Sequence, residues 1–364
     1  MKLYFCSMRL IVIAFLLLFA SKSRCQTELS LNSNYGWLMA HRKEMHRITQ
    51  GHSYGFNIQV GNEVNGEKEW HKLYLMPETG FCFSYLNLGN NQELGNAYGF
   101  FIQMRLPVSR NNNWMQGFSL GTGIGYLNKP FNIDENRFNT AIGSKINAGI
   151  FLEYQFKYAL SKNLIADLGL RMTHYSNGAY QIPNLGVNIP GICIGLTYRE
   201  GTYKGFGENP EKYKLQERTK RETQLVLIGA MRESFPATGP KYGVLGMGMS
   251  ENFRISDKSS LLLGAEYFYN ASMRKQLKEF KGIEAKNSDL QSFGISAGYG
   301  MHFGDMFLLF QMGHYLADEH LVNGPWYHRV GMRHKIKGHL LGTINLKTHF
   351  AKADYFEFGL GWNL

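Results

Sequence analysis

The sequence predicts an all-β protein that forms an antiparallel transmembrane β-barrel, and three observations lead to this prediction. The composition combines 41 glycines and 14% aromatic residues with only 9 prolines, which suits many strands joined by turns. Short segments alternate bulky apolar residues with small or polar ones, as expected for strands that have lipid on one side. The mean hydropathy is −0.27, and no run after the first thirty residues approaches the ~20 apolar residues of a spanning helix.

The N-terminal segment has the pattern of a cleaved export signal. Lys2 and Arg9 precede the apolar run Leu10–Ala20, and Ser23 and Cys25 occupy the small-residue positions of a cleavage site. We therefore expect a secretory signal peptide over residues 1–25. The residues before Cys25 do not form a convincing lipobox, so a lipoprotein is not predicted.

Alternating segments continue from residue 29 to residue 199 and predict about eight strands. In the clearest of them Phe118 and Ile124 share an apolar face, and Ser119 and Gly121 lie on the opposite face. The predicted strands are Leu29–His41, Gly51–Gly61, Trp70–Asn87, Ala97–Val108, Trp114–Asn128, Ile146–Leu160, Asn163–Asn177 and Asn188–Arg199.

A charged segment at residues 201–222 interrupts this rhythm and predicts a linker or a long turn. It divides a barrel-like half at residues 26–200 from a second strand-rich half at residues 223–364. The strands predicted in the second half are Thr223–Arg232, Tyr242–Arg254, Ser260–Asn270, Gln291–Phe303, Met306–Leu316, Trp326–Lys335, Leu340–Phe350 and Tyr355–Leu364. Two architectures follow: a single barrel of about 14–16 strands, which we favour because tandem barrels are unusual, or two tandem eight-stranded barrels.

Several motifs carry no chemistry in this context. Gly117–Gly121 and Gly294–Gly298 match G-x-S-x-G, but a nucleophile elbow needs a strand, a strained turn and a helix, and these segments lie inside alternating strands. His41 and His46 have no further ligands around them, and no Cys or carboxylate cluster has metal spacing, so neither a metal nor a cofactor is expected.

Charge and cysteine content give weaker constraints. The net charge of +11 suits contact with anionic membrane lipids better than with nucleic acid, because the chain is exported. After the signal peptide only Cys82 and Cys193 remain, and we interpret them as small hydrophobic residues of strands rather than as a disulfide.

One group of polar residues falls on the apolar face of a predicted strand. Along Asn163–Asn177 the apolar residues occupy every second position, and His174 and Ser176 continue that phase. A base beside a hydroxyl can activate it for acyl transfer, and Asn177 with the backbone N–H of Gly178 can donate to an oxyanion. Asn188 has the same parity on the next strand and can hold the His174 tautomer. The same letters also form an ordinary S-N-G turn, so pattern alone does not decide between a turn and a catalytic site.

The motif H-Y-S-N-G, followed by P-N-L-G-V-N, resembles the outer-membrane lipid A 3-O-deacylases of the PagL type over about residues 29–198. The resemblance implies Ser176 as nucleophile, His174 as base and Asn177 in the oxyanion hole, at a site that faces lipid near the outer leaflet. It differs at Asn188, where that family typically has Glu. Thr348–Lys352 in the second half reads T-H-F-A-K, an echo of the motif with alanine at the nucleophile position, which we interpret as at most a dead duplicate.

Together these observations predict a serine esterase of the bacterial outer membrane that removes an ester-linked acyl chain from lipid A. Its expected partners are lipopolysaccharide and outer-membrane lipids. The main alternative is a non-catalytic outer-membrane barrel, which would be a pore or a structural or adhesive protein. A third possibility is a phospholipase that acts on ordinary glycerolipids.

Overall fold

The computed structural model describes residues 27–200, 206–207, 221–350 and 352–364, and these residues form two closed antiparallel barrels of eight strands each. The strands of the first barrel are β1 Thr27–Trp37, β2 His52–Glu63, β3 Glu78–Asn87, β4 Asn96–Arg110, β5 Trp114–Leu127, β6 Ile146–Ala159, β7 Leu164–Ser176 and β8 Val187–Arg199. Those of the second barrel are β9 Arg221–Glu233, β10 Lys241–Ser256, β11 Ser259–Asn270, β12 Gln291–Phe303, β13 Met306–Ala317, β14 Trp326–Lys337, β15 Leu340–His349 and β16 Lys352–Asn363.

The pairing of β8 with β1 decides the architecture. Leu29 lies opposite Tyr198 in that pair, so the first eight strands close on themselves. The last strand, β16, closes on β9, with Asn363 opposite Gln224. The all-β class and the alternative of two tandem barrels are therefore confirmed, and the favoured single barrel is wrong. Every strand edge finds a partner within its own set of eight, which satisfies the requirement that lipid imposes on backbone groups.

The outside of both barrels is apolar. In β5 the side chain of Ile124 is 63% exposed and that of Phe118 is 42% exposed, whereas Ser119 faces the lumen and is fully buried. The same alternation extends through the strands of both barrels, as in Leu227 of β9 and Leu360 of β16, which are both exposed. The predicted apolar-out pattern is confirmed, and it presents a lipid-compatible surface.

Side chains fill the lumens of both barrels. In the first, Glu28 pairs with Lys157 at 2.5 Å and also with Arg105 and Arg199, and an aromatic layer that includes Phe101 and Tyr175 lies nearer the loop end. In the second, Arg329 of β14 pairs inside the lumen with two carboxylates, Glu266 of β11 and Glu357 of β16. Eight strands enclose only enough space for side chains, so these interiors are packed cores.

Helices are few and short. The predicted strand at Trp70–Asn87 begins only at Glu78, because helix α1 (Glu69–Leu73) occupies the preceding connection. Helix α2 (Ser272–Lys281) lies between β11 and β12, in a connection for which the sequence pattern predicts no helix. Among the described residues, no helix is long and apolar enough to cross a bilayer.

Two other predicted segments lie largely outside the described residues. The signal peptide, residues 1–25, lies wholly outside them, and so does most of the charged linker. Within that linker, Phe206 is buried against Met115 and Ile165, at the end of the first barrel that is opposite the long loops. Cys82 and Cys193 are both buried free thiols, as the sequence predicts.

The two barrels touch at both of their ends. At the short-turn end the Tyr74 ring, just after α1, stacks on the Phe303 ring with centroids 4.4 Å apart. At the opposite end the connection between β7 and β8 meets the end of β9, where the Ile182 backbone N–H donates to the Glu233 carboxylate at 3.0 Å. The long β7–β8 loop therefore lies between the mouths of the two barrels.

Candidate active site

The candidate site lies where β7 ends. His174 stays in phase with the outward, lipid-facing residues of β7 and is half-buried. Ser176 has the same phase, but the β7–β8 loop covers it and leaves it only 2% exposed. Asn188 faces outward on β8, directly opposite His174 in the strand register. The parity inferred from the sequence therefore brings His174 and Asn188 together at the outer lip of the first barrel.

A chain of hydrogen bonds fixes the imidazole of His174. His174 Nδ1 lies 2.6 Å from Asn188 Oδ1, and Asn188 Nδ2 lies 3.1 Å from His41 Nδ1. His41 Nε2 lies 3.1 Å from the carbonyl oxygen of Leu185, which can only accept. His41 therefore carries its proton on Nε2 and accepts at Nδ1, so the Asn188 amide turns its oxygen to His174.

The consequence concerns the other nitrogen of His174. Its Nδ1 must hold the proton that Asn188 Oδ1 accepts, which leaves Nε2 with a free lone pair. The Met39 carbonyl lies 3.3 Å from His41 Nδ1, but a proton there would face the Asn188 amide donor. The His41 tautomer that is protonated at Nε2 satisfies more of its hydrogen-bond partners. In that arrangement the Asn188 oxygen faces His174, and His174 Nε2 is a base.

Ser176 receives two hydrogen bonds at its hydroxyl oxygen. Asn184 Nδ2 donates at 2.9 Å, and the backbone N–H of Gly178 donates at 3.2 Å. Both of these groups donate to the oxygen, so the hydroxyl proton of Ser176 remains available for transfer to a base. Hydrogen bonds among the described residues do not include one between Ser176 and His174. These residues are two positions apart on one face of β7, and such contacts often tighten only when substrate binds.

Asn177 has a different set of partners. Its Nδ2 donates to Ser144 Oγ at 2.8 Å and to the carbonyl oxygen of Gln181 at 2.9 Å, so the side chain closes the loop on itself. Its backbone N–H donates to Asn184 Oδ1 at 3.0 Å. The donors that point at Ser176 Oγ in this geometry are therefore those of Gly178 and Asn184.

Gly186 makes room for the imidazole. Its φ is +87°, and a Cβ built there would lie 2.8 Å from His174 Cε1. A side chain at this position would carry backbone strain and would also push against His174. Only glycine therefore suits this position, where the loop returns to β8.

Sequence reasoning missed His41, Asn184 and Gly186 as members of the site. The sequence pattern suggests only a zinc-type pairing for His41. In the structure His41 reaches the site through the β1–β2 loop, where the Met39 N–H donates to the Asn188 carbonyl at 2.9 Å. The P-N-L-G turn was the available signal for Asn184 and Gly186. His46 is exposed, so the two histidines do not form a pair.

The other motifs behave differently from the site. Ser119 and Ser296 of the two G-x-S-x-G segments lie inside β5 and β12 and face the lumens, with no helix following either one. His349 of the T-H-F-A-K echo lies at the end of the seventh strand of its barrel but points inward, where its Nδ1 is 3.5 Å from Asp354. The echo is therefore not a second copy of the lipid-facing arrangement.

Metal-ligating residues come together at one place among the described residues. Ligand atoms of Asp289, Glu319 and His320, on two loops of the second barrel, lie within 4.8 Å of one another. The Lys286 backbone N–H, which donates to the Asp289 carboxylate, and the nearby His320 hold the pKa of Asp289 below its ordinary value. These internal contacts account for the cluster, which lies outside the serine site.

The closed sheets and the apolar exterior define an integral membrane β-barrel protein. Residues 34–197 match the family model described as lipid A 3-O-deacylase (PagL), and residues 221–364 match the one described as acyloxyacyl hydrolase, C-terminal domain. The chain belongs to this PagL family of hydrolases, with one family domain on each barrel. The resemblance expected from the sequence is confirmed, and the second half, which had no assignment, is recognised as well.

Similarities to other proteins are more distant. None of the proteins with curated descriptions matches the sequence significantly. Neisserial surface protein A is 9% identical with a TM-score of 0.33, covering 48% of this chain and 95% of that protein. The KdgM porin is 6% identical with a TM-score of 0.20, covering 73% of this chain and 93% of its own. A mutant of the Rhodopseudomonas blastica porin is 8% identical with a TM-score of 0.19, covering 93% of this chain and all of that one.

Proposed function

We propose that this protein is a serine esterase of the bacterial outer membrane that removes an ester-linked acyl chain from lipid A. The observation that carries the proposal is the His174–Asn188 hydrogen bond on the lipid-facing side of the barrel, two residues before a buried serine that ends the same strand. A polar pair on an apolar, lipid-facing surface costs free energy, and such pairs in membrane proteins mark functional sites. A substrate whose scissile ester lies at the membrane surface gives this pair a function.

The chemistry follows from the free lone pair on His174 Nε2. Ser176 Oγ attacks the acyl carbonyl carbon while His174 takes the hydroxyl proton. The tetrahedral intermediate collapses, the C–O bond to the sugar breaks, and His174 returns the proton to the sugar oxygen that leaves. Water then attacks the acyl-enzyme with His174 as general base, which releases the fatty acid and restores Ser176.

The oxyanion needs donors beside Ser176 Oγ. The proposed donors are the Gly178 N–H and Asn177, as the sequence predicts, with Asn184 Nδ2 added by the geometry. Asn177 would have to exchange one of its present acceptors, Ser144 or the Gln181 carbonyl, for the substrate oxygen. Asn184 and Gly178 at present donate to Ser176 Oγ, so each would turn from Oγ to the adjacent carbonyl oxygen of the substrate as the new C–O bond forms.

The orientation of the first barrel in the membrane supports lipid A as the substrate. With the N-terminus in the periplasm, β1 and every odd strand of the first barrel run outward, so β7 ends at the outer leaflet. Lipid A occupies that leaflet. The packed lumens, with Glu28 and Glu266 both ion-paired inside, give no support to the alternative of a pore.

The deciding experiment is mass spectrometry of lipid A from cells that express the wild-type protein or Ser176→Ala. We expect lipid A that lacks one ester-linked chain with the wild type and fully acylated lipid A with the variant. Identical lipid A acylation in cells with the wild-type protein and with Ser176→Ala would contradict the hydrolase proposal. Purified protein offered lipid A and glycerophospholipid vesicles in parallel separates a deacylase from a phospholipase.

A further inference from the structure

The loop that follows Ser176 is bound by the second barrel through Glu233, the last residue of β9. The Ile182 N–H donates to Glu233 Oε2 at 3.0 Å, and the Glu233 N–H donates to the Ala179 carbonyl at 2.9 Å. The Glu233 side chain is fully buried. The two bonds run in opposite directions across the junction, so they fix the loop in both position and register.

The Glu233 carboxylate is also anchored from its own side. The Gly239 N–H donates to Oε1 at 2.6 Å, and Lys241 Nζ lies 2.8 Å from Oε2. A buried carboxylate is stable only when charged or N–H donors surround it, and these two donors hold it rigidly. The Lys241 ammonium also lies 5.3 Å from the centre of the Tyr180 ring, on the same loop of the first barrel.

Two further contacts join the same elements. The Phe356 ring of β16 packs directly on Gly178, where a built Cβ would lie 2.4 Å from Phe356 Cδ2. Arg42, next to His41, donates to the Phe350 carbonyl at 3.3 Å. The β7–β8 loop and the β1–β2 loop, which complete the site beside β7 and β8, therefore both contact the second barrel. The contacts lie at the end of β9 and at the β15–β16 turn.

We propose that the second barrel is a positioning scaffold for the catalytic loop and that Glu233 is the positioning residue through which it acts. By holding residues 178–182, Glu233 keeps the Gly178 N–H directed at Ser176 Oγ, 3.2 Å away. Preorganised donors matter because a displacement of about 1 Å costs about a hundredfold in rate. This inference rests on the serine esterase function proposed above and assigns a role to the half that lacks a copy of the motif.

The test compares Glu233→Ala, Glu233→Gln and Glu251→Ala in the purified full-length protein. Two measurements are made on each: the rate at which a fluorophosphonate probe labels Ser176, and kcat and KM for deacylation of lipid A. We expect Glu233→Ala to lower the labelling rate and kcat about tenfold or more with KM little changed, because the Ile182 N–H loses its acceptor. Glu233→Gln keeps a carbonyl oxygen for that N–H and should recover most of the rate.

Glu251→Ala is the matched control. Glu251 is also ion-paired in the second barrel, but its partners Arg221 and Thr223 belong to that barrel itself, at its short-turn end. Its removal should leave both rates at the wild-type level. Phe356→Ala provides a second variant on the outside of β16, and it should also slow labelling. The gel mobility of unboiled samples reports folding of every variant.

Amide hydrogen exchange of the peptide covering residues 177–186 separates this proposal from the proposed function. Faster exchange together with slower labelling in Glu233→Ala and Phe356→Ala, but not in Glu251→Ala, is the expected result. Unchanged exchange and labelling in folded Glu233→Ala and Phe356→Ala would overturn the positioning role. Faster exchange combined with a wild-type protein that the probe does not label at Ser176 would overturn the serine esterase function, and the positioning of a nucleophile with it.

Discussion

His174 Nδ1 and Asn188 Oδ1 lie 2.6 Å apart, and the two residues are direct partners in the β7–β8 register. Both face outward at the loop end of the first barrel and are half-buried. A neutral amide orients the imidazole and fixes its tautomer, but it offers no negative charge to the imidazolium that forms during catalysis. The site therefore has an orienting residue where the family it resembles typically has an acid.

Asn188→Glu is expected to preserve or raise the deacylation rate, because a carboxylate at this position accepts the same proton and adds charge stabilisation. Asn188→Leu, of similar size, should lower kcat about a hundredfold or more, since the base loses its orientation. Lipid A deacylation followed by mass spectrometry measures both. Complete loss of activity in Asn188→Glu would show that this position does not hold the base.

Gly186→Ala is expected to abolish the proposed deacylase activity while leaving the protein folded. The new methyl group would lie 2.8 Å from His174 Cε1, so the imidazole must move away from Asn188. Gly324→Ala is the matched control, because Gly324 has a nearly identical φ of +86° with no atom within 4 Å of the built Cβ. Both changes carry about 1 kcal/mol of backbone strain in the folded state. Equal activity in the two variants would exclude a steric role for Gly186.

Asn184→Ala is expected to lower kcat about a hundredfold to a thousandfold with little change in KM, because Asn184 Nδ2 is proposed to donate to the substrate oxygen on which negative charge develops. Asn177→Ala removes only loop contacts in this geometry, to Ser144 and Gln181, and should have a smaller effect on kcat. Steady-state kinetics on purified variants gives the comparison. A larger loss in Asn177→Ala would return the main oxyanion role to Asn177.

The sequence was sufficient for features that depend on strand parity. Two-residue periodicity puts His174 and Asn188 on the lipid-facing side of adjacent strands, and the structure has them there as a pair. Periodicity does not report which strand closes a sheet, because the pairing of Leu29 with Tyr198 joins residues far apart in sequence. A single large barrel and two small ones therefore look alike along the chain.

Residues that reach the site through loops had no periodic signal. His41 lies in the β1–β2 connection and meets Asn188 only because β1 closes on β8. Glu233 reads as an ordinary polar residue at a strand end, and its contact with Ile182 depends on how the two barrels lie side by side. Such residues become visible only when the closure and the packing of the barrels are known.

His41→Phe is expected to lower kcat about tenfold. This loss is smaller than the hundredfold or more that follows complete loss of a general base. The reason lies in the chemistry of Asn188, whose amide has one acceptor and one donor end. His41 Nδ1 accepts from the donor end at 3.1 Å and so turns the oxygen to His174. Without His41 the amide can rotate and present its N–H₂ group to His174 Nδ1, which breaks the orientation of the base.

The double variant His41→Phe with Asn188→Glu tests this explanation. A carboxylate has two equivalent oxygens, so whichever way it turns it accepts from His174, and it needs no neighbour to choose its rotamer. His41→Phe should therefore cost about tenfold in the Asn188 background and little in the Glu background, a coupling that a double-mutant cycle measures directly. Equal losses in both backgrounds would mean that His41 acts on the β1–β2 loop rather than through the amide of Asn188.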